Sequence, residues 1–80
     1  MTLYFFDLHI DNDVQRDEIG SRFDSLSEVR KAAQKLLPAV GYEELPLDGD
    51  NRLLAVIVTD ESGRPVYSAT LNYAGLWLQR

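Results

Sequence analysis

Apolar and polar positions along the chain fall into blocks with different periods. Residues 3–10, Leu-Tyr-Phe-Phe-Asp-Leu-His-Ile, are rich in aromatic and branched side chains and predict a strand. Tyr4, Phe6, Leu8 and Ile10 fall on one face, and Leu3, Phe5, Asp7 and His9 on the other. Asp11-Asn12-Asp13 ends the strand, because short polar side chains bond their own backbone and favour turns. Residues 11–19 read as a polar connection, and Gly20-Ser21-Arg22-Phe23 as a short return strand.

The period then changes. Ser25 suits an N-cap, and Glu28 three positions on completes a capping box. Leu26, Val29, Ala33, Leu36 and Val40 recur at three- and four-residue steps and share a helix face, which Ala32 and Leu37 widen. Glu28, Arg30, Lys31, Gln34 and Lys35 occupy the opposite face. Pro38 disfavours a helical Leu37, so the helix is expected to end or kink there. Tyr42-Glu43-Glu44-Leu45 suits one further turn after it.

Residues 38–52 read as a polar connection with a turn at Asp48-Gly49-Asp50-Asn51. Residues 53–59, Leu-Leu-Ala-Val-Ile-Val-Thr, are a continuous apolar strand. Asp60-Glu61-Ser62-Gly63-Arg64 is a tight loop in which Gly63 can take positive φ. Residues 65–71 form the partner strand, with Pro65 at its tolerated first position.

These elements predict one α+β domain over residues 1–80, ordered β-β-α-β-β. The expected sheet has four antiparallel strands in the order 2-1-3-4, with one helix on one face. A single helix covers only one side of such a sheet. The other side then shows Leu3, Phe5, Leu53, Ala55 and Ile57, or the equivalent alternate set if the register differs, an apolar set of the kind that marks an interface. The end of the chain, with Leu76, Trp77 and Leu78, is a rival cover, either in cis or swapped to a neighbour.

Composition narrows the functional classes. Eight basic residues against thirteen acidic ones give a net charge of −5, which makes a poor partner for phosphate backbone. The absence of cysteine removes disulfides, thiolate metal sites and cysteine nucleophiles. The longest apolar run, Leu53 to Val58, is far short of the roughly 20 residues of a membrane span. Met1 to Asp7 lacks a basic leader pattern, so a cytoplasmic location is expected.

Four segments stand in a distinctive order: Tyr4-Phe5-Phe6; Asp17-Glu18-x-Gly20; Phe23-x-Ser25-Leu26 leading to Arg30 and Ala33; and Val58-Thr59-Asp60-Glu61-Ser62-Gly63-Arg64-x-Val66. Over residues 3–71 the chain resembles a family of small uncharacterised alphaproteobacterial proteins, a domain of unknown function. Members often carry histidine at the place of Asp7 and an Asp-Gly turn at Asp11-Asn12-Asp13. The resemblance implies no activity, cofactor or site residues. A cap before a helix on a small antiparallel sheet also resembles antitoxins of the HicB type in architecture, although no C-terminal DNA-binding segment follows here.

Candidate chemistry is sparse. Asp7 and His9 share a strand face with Asp11 two residues on, the raw material of a general base or a metal site. No second histidine accompanies them. Asp11-x-Asp13 with Asp17 and Glu18 suggests a calcium loop. Arg16 stands where such a loop needs glycine, and Arg22 where it needs an acid. Arg30, Lys31 and Lys35 form a basic stripe, read as a solvated helix face with Glu28 pairing to Lys31. Tyr4, Phe5 and Phe6 on a sheet resemble a base-stacking platform but lack the basic, glycine-rich surround. Ser62 and Ser68 lack a nucleophile-elbow context, and no phosphate-binding glycine loop occurs.

The sequence therefore assigns no catalytic, cofactor-binding or metal residue and no cofactor. It predicts a non-enzymatic interaction or regulatory module that self-associates as a homo-oligomer, in the simplest case a dimer. The expected interface comprises Leu3, Phe5, Leu53, Ala55, Ile57, Leu76, Trp77 and Leu78. The alternatives are an antitoxin-like or nucleic-acid-linked regulator with a basic protein partner and, behind it, an orphan enzyme or metal binder.

Overall fold

A computed structural model describes residues 1–47 and 49–79. The elements run β1 (Thr2–Ile10), β2 (Asp13–Gln15), β3 (Ser21–Phe23), α1 (Leu26–Glu44), a 3-10 turn (Leu45–Leu47), β4 (Asn51–Thr59) and β5 (Pro65–Ala74). The architecture is α+β, with one helix against an antiparallel sheet. The expected four strands are present, and their order is kept as β1 and β4 in the centre with β5 outermost. Asp13–Gln15, expected as connection, is a fifth short strand. It pairs the same edge of β1 that β3 pairs further back, Ile10 facing Asp13 and Tyr4 facing Ser21. Asp48, in the expected turn before β4, lies outside the described residues.

The core lies between α1 and one sheet face. Tyr4, Leu8 and Ile10 from β1, Leu54, Val56 and Val58 from β4, and Val29, Ala33 and Leu37 from α1 are buried. Register explains the sheet half: Leu8 faces Val56 and Ile10 faces Leu54, so both strands turn their even positions inward. On α1 the buried line is Val29, Ala33, Leu37 and Gly41, four residues apart. Leu36 and Val40 flank it, while Leu26, in the first turn, is exposed. A Cβ on Gly41 would stand 2.8 Å from Leu71 Cδ2, so the absent side chain sets how closely helix and sheet approach.

The helix begins where the sequence places it. Ser25 Oγ accepts the Glu28 N–H at 3.3 Å, and Glu28 Oε1 accepts the Asp24 N–H at 2.9 Å. Glu28 is thus turned to the cap rather than toward Lys31. The expected break at Pro38 does not occur, and α1 continues six residues beyond it, to Glu44. A proline there leaves the Gln34 carbonyl without its helical donor. Pro38 and Gln34 are both exposed, so water can serve that carbonyl while Leu37 and Gly41 hold the buried side in place.

Candidate interaction surface

The segments that stand out in the sequence hold the backbone together. Between β2 and β3 the chain leaves β1 over residues 16–20, which interrupts the ladder at Phe6. Asp17 fills the gap. Its Oδ2 accepts the Phe6 N–H at 3.0 Å, and its Oδ1 accepts Ile19 N–H at 3.1 Å and Gly20 N–H at 2.9 Å. Burial pushes the Asp17 carboxyl up, but the donors from Gly20, Phe6 and Ile19 outweigh it and hold the pKa below its ordinary value. Gly20 has φ +79°, and a Cβ there would stand 3.0 Å from both Leu3 Cδ1 and Phe5 Cε1. Only glycine fits a left-handed residue pressed on two side chains.

The β4–β5 turn works the same way. Asp60 Oδ1 accepts the Ser62 hydroxyl at 2.6 Å and the N–H groups of Ser62 and Arg64 at 2.9 and 3.1 Å. The Ser62 hydroxyl first, then the Arg64 N–H, lower the Asp60 pKa. Glu61 Oε1 reaches past the end of β4 to accept the Leu3 N–H at 2.9 Å, continuing the β1–β4 edge with a side chain. Tyr4 and Phe6 face inward against Phe23, with ring centroids 6.2 and 5.8 Å apart, while Phe5 points the other way. The three adjacent aromatics are therefore split between two faces and form no stacking platform.

The candidate acids are similarly committed. Asp7 does lie on the same β1 face as His9, but its Oδ1 accepts the Asp17 N–H at 2.9 Å and its Oδ2 lies 3.6 Å from Arg16. Asp11 takes φ +53° and turns to β4, accepting Leu53 N–H at 3.0 Å and Arg52 Nε at 2.8 Å. The Leu53 N–H, then Arg52, hold its pKa down. Asp11, Asp13 and Asp17 do not converge, and no group of three or more His, Asp or Glu placed to hold a metal ion occurs among the described residues.

Arg52, expected at the end of a polar connection, lies inside β4 and carries a role its place in the sequence did not announce. It is buried at 7% exposure, pairs with Asp11, and donates from Nη1 to the Glu44 carbonyl at the end of α1. The last helical turn has no basic residue of its own, so Arg52 brings positive charge to that end from the neighbouring strand. An arginine opposite a helix end, with an aspartate just past the end of β1, is a signal visible only once the register is known.

What remains is the sheet face away from the helix. Register places Leu3, Phe5, Asp7 and His9 there from β1, Leu53, Ala55 and Ile57 from β4, and Ser68, Thr70 and Asn72 from β5. The five apolar residues expected on this face are all on it. Leu3, Phe5, Ala55 and Ile57 are half-buried, and Leu53 is exposed. Part of their shelter is the Gly20 backbone lying on Leu3 and Phe5, which the sequence did not foretell. Among the described residues, the end of the chain does not cover them. Leu76, Trp77 and Leu78 are 83%, 78% and 89% exposed.

Fold and surface together define a one-helix α+β domain whose prominent side chains secure its own turns and edges, and whose apolar remainder faces outward. The model of one family, described as a domain of unknown function (DUF6894), matches residues 3–72. The chain belongs to that family. No curated protein and no solved structure matches it. No helix among the described residues is long and apolar enough to cross a membrane.

Proposed function

We propose that this domain is a protein–protein interaction module that self-associates through its helix-free face and C-terminal segment. The observation that carries this is the pairing of a half-covered and an exposed apolar set in one small chain. One is the Leu3, Phe5, Leu53, Ala55, Ile57 set on the sheet; the other is Leu76, Trp77 and Leu78. A radius of gyration of 14.5 Å, against about 12 Å for a compact chain of this length, fits a tail that leaves the body. Small domains without disulfides commonly complete their cores by association. A tail of three large apolar residues supplies what a half-covered sheet in a second copy lacks, so each copy offers both the arm and its receiver. Acidic loops around the face set solubility and the sign of other partners.

Analytical ultracentrifugation from low to high micromolar concentration tests this. A concentration-dependent dimer that Ile57→Lys returns to monomer is the expected result. A strict monomer at all concentrations would overturn it. Association only with a small basic protein would favour the antitoxin-like alternative instead.

A further inference from the structure

The two edges of the sheet are built differently. On the β1 side the edge is closed by two three-residue strands, a carboxylate plug at Phe6 and a left-handed Asp11, devices that discourage another strand from pairing. On the other side β5 runs ten residues, Pro65–Ala74, and pairs only with β4 among the described residues. It carries no charge in a chain whose residues are 26% charged, and its only proline is at the first position.

The ladder fixes which backbone groups are left over. Gly75 N–H donates to the Asp50 carbonyl, so odd positions of β5 bond to β4, and Ser68, Thr70 and Asn72 turn both N–H and C=O outward. Residues 67–73 read Tyr-Ser-Ala-Thr-Leu-Asn-Tyr, a pattern symmetric about Thr70 in kind. We propose that two copies pair antiparallel along β5, with a two-fold axis at Thr70, joining their sheets into one.

In this register Thr70 faces the partner's Thr70, and Ser68 faces the partner's Asn72. These pairs exchange both ladder bonds, and their polar side chains meet on the helix-free face. On the helix side Ala69 faces the partner's Leu71, small against large. Tyr67, half-buried, faces the partner's Tyr73, which is 44% exposed. A strand of other sequence would satisfy the backbone but not this two-fold match, which is why a second copy is the occupant. The axis stands perpendicular to the sheet, so both helices lie on one side and the two helix-free faces become continuous. The contact goes beyond the apolar set of the helix-free face and needs none of Leu3, Phe5, Leu53, Ala55 and Ile57.

The chain has no cysteine, so an introduced one reports alone. Thr70→Cys should form a disulfide-linked dimer on mild oxidation, since hydrogen-bonded antiparallel pairs stand about 5.5 Å apart at Cα. Ser68→Cys alone should not, while Ser68→Cys with Asn72→Cys should. Thr70→Pro removes an outward N–H without touching the β4 ladder. It should weaken association roughly tenfold or more, because the two-fold axis removes two bonds at once. Cross-linking of Thr70→Cys no faster than Gln34→Cys on the exposed helix face would overturn the pairing, whether or not the proline variant folds. A dimer that Ile57→Lys breaks and Thr70→Pro leaves intact would overturn it while sparing the helix-free face. A monomer throughout would remove both.

Discussion

Asp17 shows how much of this fold depends on single carboxylates. It stands in for a missing stretch of strand by accepting three backbone N–H groups at the interruption between β2 and β3. Asp17→Ala leaves those donors without a partner and should cost roughly 1–3 kcal/mol, read by urea denaturation. The charge matters as well as the shape. Asp17, Asp11 and Asp60 all have folded-state pKa values below their ordinary value. A lowered folded pKa means a stabilising contribution that is complete above about pH 4, where the unfolded carboxyl is ionised, and lost as pH falls through the folded value. The chain should therefore lose stability on acidification below about pH 4, and Asp17→Asn should flatten that acid limb. Equilibrium unfolding at several pH values checks the sign, and a variant as acid-sensitive as the parent would refute it. Arg52 is the cationic counterpart. Arg52→Leu strips the Glu44 carbonyl and Asp11 of a charged donor and should cost roughly 1.5–3 kcal/mol.

At the scale of elements, the sequence and the structure part company over helix length and strand continuity. The Ser25 cap, the apolar spacing of α1, and the strands containing residues 3–10 and 53–59 were legible because period and capping are local signals. Pro38 was misleading because its local cost is real but its carbonyl partner happens to face solvent, and the packing of Leu37 and Gly41 on the sheet outweighs it. That cost should still be measurable. Pro38→Ala restores the missing donor and should raise stability by roughly 1–3 kcal/mol, less whatever the unfolded chain gains in freedom. A variant no more stable than the parent would mean the helix is distorted enough that the carbonyl is already served. Asp13–Gln15 was missed because its residues are all exposed and carry no apolar alternation. Asp17 and Gly20 stood out as residues, yet their work could not be read without knowing that β1 needed a substitute partner at Phe6. The grouping of Leu3 with Phe5, and of Leu53 with Ala55 and Ile57, was legible from the period of two, while the register decided that both groups share the helix-free face. The Gly20 backbone resting on two of them was not, since it depends on the path of a loop.

At the scale of the whole molecule, the lone tryptophan is a built-in reporter of association. Trp77 is 78% exposed in the single chain, so its emission should sit at the wavelength of an indole in water when the protein is dilute. If the tail docks on a second copy, raising the concentration should shift the emission to the blue and reduce quenching by acrylamide. The melting temperature should rise over the same range, because association stabilises only the folded chain. The two candidate contacts then separate. Pairing along β5 alone raises the melting temperature with concentration but need not bury Trp77. Docking of the tail on the helix-free face does both, and Ile57→Lys should abolish the blue shift. A Trp77 that reports water at every concentration, beside a melting temperature that still climbs, would assign self-association to the sheet edge and leave the tail without a receiver in its own kind.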